Sequence, residues 1–362
     1  MRRQEIEQDI DWKQNSFTLL RYIAAFEVLI GHCVTHFAIN TDSILFRLYA
    51  YTVGRFHGVP VFFGLSGFLI WASLSSRTTL SVYLKKRFIR IYPELWLAVI
   101  LSIVSILLLY KQYFPISLGV FAITQSTFLQ FWTPDSLRGF GCGTPNGSLW
   151  TIFMFVQFYL IAWMLHKWLH KTHHECYKNV TGGGVLAKWI LLFCLSFFFT
   201  IGYKQASVLF SSGVENIYYK LLGQTVLPYL FMFFSGMICF EFKTVILPIL
   251  KKYWWLIIML YYTISISGFD IPATYINLLS GILLVLMTIA LGFRFIKPVI
   301  KTDISYGIYL FHMVVVNVLL ETGSQSKIVN AMLALIVSIL LAFISKAITD
   351  IIARYITTPL KH

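Results

Sequence analysis

One apolar stretch near the start of the chain, FTLLRYIAAFEVLIGHCVTHF, carries Arg21, Glu27 and His32, with His36 four residues beyond. An ionisable group at the centre of a membrane helix costs about 2.5–3.5 kcal/mol on insertion scales, so each asks for a reason. Arg21 and His32 are eleven residues apart in the sequence. That is about three helical turns, which puts them on one face roughly 16 Å apart along the axis. They cannot touch, but they suit the two ends of one elongated ligand. Imidazole is the side chain whose ordinary pKa lies nearest neutral pH, which fits His32 for a general base or a nucleophile. Glu27 joins it as the second catalytic candidate. It lies five residues before His32, so it faces another direction and is free to pair with a different helix. The bland alternatives are snorkelling of Arg21 to the headgroups and a packed, hydrogen-bonded His32. Both groups on one helix face weigh against these alternatives.

A second basic cluster lies in KKRFIRIYPELW, where Arg87 and Arg90 are i, i+3 neighbours on one helix face. Each guanidinium offers a planar fork of donors suited to phosphate. Lys85, Lys86 and Arg87 are also what the cytoplasmic side of a membrane protein collects anyway. Pro93 asks for a bent or opened helix nearby. In VPVFFGLSGFLIWASL, Gly64 and Gly67 flank Ser66 and allow close helix approach. Ser66 is a lining candidate by position only. His312 falls inside DISYGIYLFHMVVV, with no charged partner in its own helix core, and reads first as a packed imidazole. Tyr92, Trp150 and Tyr159 suit either a substrate passage or interfacial anchoring. The five cysteines (Cys33, Cys142, Cys176, Cys194, Cys239) form no CxxC pair, and no metal site is expected.

These residues need a scaffold, and composition dictates its kind. Of 362 residues, 58% are hydrophobic and only 12% charged, against about 25% charged in soluble domains. A soluble enzyme, a disordered chain and a secreted disulfide scaffold are excluded. An all-α, polytopic membrane helix bundle remains. Ten spans are expected: 17–37, 59–76, 88–110, 148–169, 187–207, 224–242, 253–267, 274–296, 304–320 and 328–350. The stretch 114–131 reads as interfacial or re-entrant, 111–147 as a structured outer loop, and 170–184 as an inner loop. With both termini cytoplasmic, 22 of the 29 Lys and Arg fall inside and 7 outside, as the positive-inside rule requires. The net charge of +14 is thus explained without nucleic acid. Residues 1–16 form a cytoplasmic segment without a cleavable signal, 17–350 one transmembrane domain, and 351–362 a short cytoplasmic tail too small for a further catalytic domain. No internal repeat is visible.

Five segments in order carry a family resemblance. NSFTLLRYIAAFEVLIGH with its Arg21-x10-His32 spacing resembles the opening helix of the acyltransferase-3 family of integral membrane acyltransferases. GVPVFFGLSGFLI is similar to the family's second-span signature, and KRFIRIYP to its Arg-x-x-Arg-x-Tyr-Pro pattern. GSLWTIFMFVQFYLIAW resembles its Ser-Leu-Trp-[Thr/Ser] to Phe-Tyr-Leu segment, and ISYGIYLFHMVVV its late Ser-Tyr-x-x-Tyr-Leu-x-His segment. Two positions depart. Phe155 stands where the family usually has glutamate, with Gln157 the nearby polar group, and Thr357-Thr358-Pro359 stands for a common Glu-x-Pro.

The resemblance implies a multi-pass protein of the bacterial inner membrane. It would move an acyl group, usually acetyl, from cytoplasmic acetyl-CoA to a hydroxyl of a cell-surface or lipid-linked glycan such as an O-antigen or exopolysaccharide. His32 would serve as base, or be acylated and then attacked by the sugar. Arg87, Arg90 and Arg21 would hold the phosphates of the acyl-CoA. Tyr92, Trp150, Tyr159, Ser66 and His312 would line the passage. Acyl-CoA, the glycan acceptor and membrane lipid are the expected partners, no cofactor is held permanently, and nothing in the pattern sets an oligomeric state. Transfer of succinyl or another short acyl group stays open. A proton-coupled transporter or glycan exporter is the competing reading, but it expects an inverted repeat with broken helices in both halves.

Overall fold

The computed structural model describes residues 14–75, 79–170, 183–210, 217–266, 273–295, 300, 302–323 and 326–357. Among them there is no strand. The helices are α1 (Phe17–His36), α2 (Ile44–Tyr51), α3 (Gly58–Leu74), α4 (Leu80–Leu109), α5 (Pro115–Ser126), α6 (Trp150–His170) and α7 (Gly183–Phe210). They continue with α8 (Ile217–Gly223), α9 (Leu230–Glu241), α10 (Lys243–Lys252), α11 (Trp254–Ile266), α12 (Ala273–Arg294), α13 (Ser305–Thr322) and α14 (Lys327–Thr357).

Among the described residues, seven helical stretches are long and apolar enough to cross a membrane: α1, α4, Gly147–Leu169, Gly184–Ala206, Asn277–Arg294, α13 and Lys327–Tyr355. The chain is a multi-pass membrane protein built as an all-α bundle. The other three expected spans take less regular forms. The stretch 224–242 corresponds to Leu227–Glu241, which ends where the chain turns by 102° into Lys243–Lys252. Helix α3 has 17 residues and α11 has 13, about 26 and 20 Å at 1.5 Å per residue, short of the roughly 30 Å hydrocarbon core. Helix α4 starts at Leu80, eight residues before the expected 88, so Arg87, Arg90 and Pro93 lie within a 30-residue helix. At about 45 Å, such a helix overshoots the hydrocarbon. The inner loop expected at 170–184 lies almost wholly outside the described residues. So do Cys176, Thr358 and Pro359, and most of the N-terminal segment, whereas the expected tail is helical as far as Thr357, where α14 ends.

The chain forms two compact units. One contains the segment ending at Arg21, Val59–Leu80 and Gln157–Val299. The other contains Tyr22–Gly58, Ser81–Val156 and the segment beginning at Ile300. In the first unit, small residues set the helix spacing. A Cβ on Gly236 of α9 would overlap the Gly64 carbonyl of α3, and one on Gly67 would overlap the Phe233 carbonyl. The two backbones therefore touch, as the Gly-x-x-Gly spacing of α3 anticipates. Phe158 stacks on Phe233 at 4.2 Å between ring centroids, and Trp71 donates from Nε1 to the Glu241 carboxylate at 2.6 Å.

In the second unit, α1, α13 and α14 are tied at both ends. Tyr22 donates to the Thr302 carbonyl at 2.9 Å and accepts from the Ile304 amide at 3.1 Å. Lys327 donates to the Ala38 carbonyl at 2.8 Å. Gly307 lets α13 sit against Ala342 of α14. The loop 111–147 is structured, as its proline and glycine content suggests. Helix α5 and the turns after it bury Phe121, Leu137 and Phe140 against Ile106 of α4.

Candidate active site

Helix α1 presents His32 and His36 one turn apart. Their rings stack with centroids 5.5 Å apart, and His32 Nδ1 lies 3.3 Å from His36 Nε2, so one nitrogen of that pair carries the shared proton. The ring of His312 lies 5.1 Å from that of His32. Three imidazoles from two helices therefore meet in the second unit. The sequence placed His312 as an isolated packed histidine; α13 crosses α1 at the depth that pairs it with His32. Helical periodicity fixes a face, but not which helix meets it.

His312 is fully buried. Its Nδ1 lies 2.8 Å from the Tyr309 carbonyl. A carbonyl only accepts, so Nδ1 is the protonated nitrogen and Nε2 keeps its lone pair. That Nε2 is buried and has no hydrogen-bond partner among the described residues. The Tyr309 hydroxyl accepts from Thr151 Oγ1 at 3.0 Å. Asn146 Nδ2 donates to the Leu310 carbonyl at 3.0 Å, and its Oδ1 accepts from Ser148 Oγ at 2.7 Å. The Ser-Leu-Trp-Thr segment and the late Tyr-Leu-x-His segment, 158 residues apart at this bond, are thus one hydrogen-bonded structure.

A second clamp holds the loop 111–147 on α13. Asn317 accepts from the Cys142 amide at 2.9 Å and donates to the Thr144 and Pro145 carbonyls at 2.8 Å each. Glu321 accepts from the Gly141 amide at 2.7 Å. Gly141 has φ +58°, and a Cβ there would overlap the Asn317 side chain, so only glycine fits. Burial pushes the Cys142 thiol up from its ordinary value, which disfavours the thiolate.

Glu27 faces away from the imidazoles' hydrogen bonds, as its offset along α1 suggests. Its Oε2 accepts from the Gly58 amide at 2.8 Å, and Oε1 lies 3.7 Å from Nδ1 of the half-exposed His57. The carboxylate thus caps the first amide of α3, where the helix dipole favours negative charge. A Cβ on Gly58 would overlap the Ala24 carbonyl and come within 2.7 Å of Val28 Cγ2, so the glycine admits this contact. Tyr49 of α2 donates to the Glu27 carbonyl at 3.5 Å. Burial, and then the Glu27 charge, push its phenol up to about 12, which keeps it a donor.

The remaining expected residues are spread out. Arg21 belongs to the first unit. Its guanidinium turns back along α1 toward the Phe17 carbonyl and Thr18 Oγ1, at 3.4 Å each, the course of a snorkelling side chain. Ser66 and Tyr159 also fall in the first unit. Arg87 stacks over the ring of Tyr83 at 5.4 Å, and Arg90 is exposed. Tyr92 belongs to a ladder with Phe88 and Trp96, with Phe88–Tyr92 centroids at 4.7 Å. Phe88 and Trp96 are exposed, which is the pattern of an interfacial belt. Trp150 is half-buried at the start of α6. Gln157 is occupied by backbone, accepting from the Val226 amide and donating to the Gln224 carbonyl. No group of three His, Cys, Asp or Glu among the described residues is arranged for a metal ion.

Sequence reasoning missed Asn146, Thr151, Tyr309, Asn317, Glu321 and Glu94. Asn317 and Glu321 carried a readable signal, since both are polar residues in the apolar run after His312. Glu94 is buried one turn beyond Arg90, with Oε2 unpartnered among the described residues and closely faced by Gly307. Asn146 and Thr151 act through backbone and hydroxyl partners distant in sequence, which no local pattern displays.

The fold and site define a multi-pass membrane protein with an imidazole cluster between α1 and α13, buried at His312 and half-buried at His32 and His36. Residues 14–347 match the model of an acyltransferase domain, Acyl_transf_3, and the chain belongs to that acyltransferase-3 family. It is a membrane acyltransferase. Among curated proteins it is similar to Nodulation protein 10 of Rhizobium leguminosarum bv. viciae, 25% identical over 335 residues, covering 86% of this chain and 85% of the relative. No solved structure matches the chain.

Proposed function

We propose that this protein is an O-acyltransferase of the bacterial inner membrane. It takes an acyl group, acetyl in the simplest case, from cytoplasmic acetyl-CoA and places it on a hydroxyl of a cell-surface or lipid-linked glycan. His32 is the catalytic imidazole, either as base toward the hydroxyl or as the group that carries the acyl between donor and acceptor. The observation that carries this is the His32 imidazole on α1, stacked on His36 and facing His312 across the helix contact. Acyl transfer to a hydroxyl needs a base near neutrality, and imidazole supplies it.

The donor end is supported by charge placement. Arg87 and Arg90 stand near the start of α4, on the side that the lysine and arginine bias assigns to the cytoplasm. Two guanidinium groups one turn apart suit the phosphates of acyl-CoA. Arg21, about three turns from His32 along α1, is a separate phosphate candidate in the first unit. Glu27 serves the reaction by anchoring the Gly58 amide beside Ala24 of α1, rather than by proton transfer.

The experiment is His32→Ala, expressed at the wild-type level in a host lacking its own copy. Mass spectrometry of surface glycans should show the O-acyl groups lost, because a positioned base contributes about 10²–10⁴-fold in rate. Full acylation in that strain overturns the assignment.

A further inference from the structure

Direct transfer from thioester to hydroxyl needs one base, yet two imidazoles stand side by side. A histidine that merely fills a core satisfies both ring nitrogens. His312 does not. Its Nδ1–H is spent on the Tyr309 carbonyl, while Nε2 is left as a buried lone pair without a partner among the described residues, an arrangement that works against stability. The ring is fully buried and 5.1 Å from His32. Tyr309 in turn is held by Thr151, so the tautomer and the ring position are fixed from behind. That arrangement keeps a nitrogen in base form next to His32.

We infer that His312 is the base of a second half-reaction, in which His32 is already acylated and cannot serve. The inference rests on the acyltransferase reading above and deepens it. In the first step His32 Nε2 attacks the thioester carbonyl and the C–S bond breaks. The CoA thiolate leaves, and the Nδ1 proton passes to His36 Nε2, 3.3 Å away. In the second step the acceptor hydroxyl oxygen attacks the acyl carbon, and its proton goes to His312 Nε2. The C–N bond breaks, and His36 returns the proton to His32 Nδ1. The departed thiolate takes a proton from water and His312 returns one to water, so the sum is thioester plus alcohol giving thiol plus ester.

The test uses the full chain in detergent and in host membranes, with whichever of acetyl-, succinyl- or long-chain acyl-CoA the wild type consumes. Acyl exchange between that acyl-CoA and isotope-labelled CoA reads the first step, and label entering membrane glycans reads both. His312→Asn keeps a donor for the Tyr309 carbonyl and removes the second nitrogen. It should exchange within about twofold of wild type while glycan labelling falls by about 10² or more, and His32→Ala should lose both. The wild type should also give parallel double-reciprocal plots with donor and acceptor varied, a readout that needs no variant to fold. Wild-type labelling by His312→Asn, equal loss of exchange and labelling, or intersecting plots with no exchange would each overturn the inference. Undiminished labelling by His32→Ala would instead remove the acyltransferase assignment of His32 on which it stands.

Discussion

Removing the Glu27 carboxylate separates two roles that the position allows. The structure spends Oε2 on the Gly58 amide at 2.8 Å, at the first turn of α3. A hydrogen bond to a charged group is worth about 1.5–3 kcal/mol, and a negative charge at a helix N-terminus adds about 0.3–1 kcal/mol. The His57 contact, at 3.7 Å on a half-exposed ring, adds little. Glu27→Ala leaves the amide orphaned and should cost about 2–3 kcal/mol. Glu27→Gln keeps one acceptor oxygen and loses only the charge, about 1 kcal/mol. Thermal unfolding in detergent, beside acyl-transfer rates in membranes, reads both variants. The alanine variant should unfold several degrees lower, with activity falling as folded protein is lost. The glutamine variant should stay close to wild type in both. If Glu27→Gln unfolds normally but loses transfer as completely as His32→Ala, the carboxylate takes part in the chemistry and the anchoring argument fails.

Asn317→Ala deletes three hydrogen bonds to the loop at 142–145; at about 1 kcal/mol each, stability should drop by about 3 kcal/mol in the same thermal assay. Arg90→Ala should raise the KM for acyl-CoA with little change in unfolding temperature, since Arg90 is exposed. Arg90→Lys should recover only part of it, because an ammonium lacks the planar fork. Equal KM values in titrations across all three proteins would remove Arg90 from the donor site.

Much of this was legible in the chain because lipid leaves few choices. A backbone surrounded by hydrocarbon must satisfy its own hydrogen bonds, so long apolar runs become helices, and α1, α12 and α13 begin and end within about two residues of expectation. Charge was legible for the same reason: an ionisable group in an apolar run is costly, which singled out Arg21, Glu27 and His32. The end of the run at 242 was legible, since Lys243 follows it, but the 102° turn into a further helix, Lys243–Lys252, was not. The offset of Glu27 from His32 showed that they face apart. Only the fold showed that the carboxylate meets Gly58, where the absence of a side chain lets α3 touch α1.

The sequence by itself determined a membrane bundle and singled out His32 as the candidate catalytic imidazole, because hydropathy, charge and imidazole are properties of single residues and their spacing. The tertiary structure decided what those residues face. It set His312 beside His32, gave Glu27 to the start of α3, turned Arg21 back along its own helix, and joined Asn146 and Thr151 to α13. Each of these depends on which helix packs against which, and at what depth. That is settled by contacts between residues far apart in the chain, where small residues permit close approach and buried polar groups must find partners.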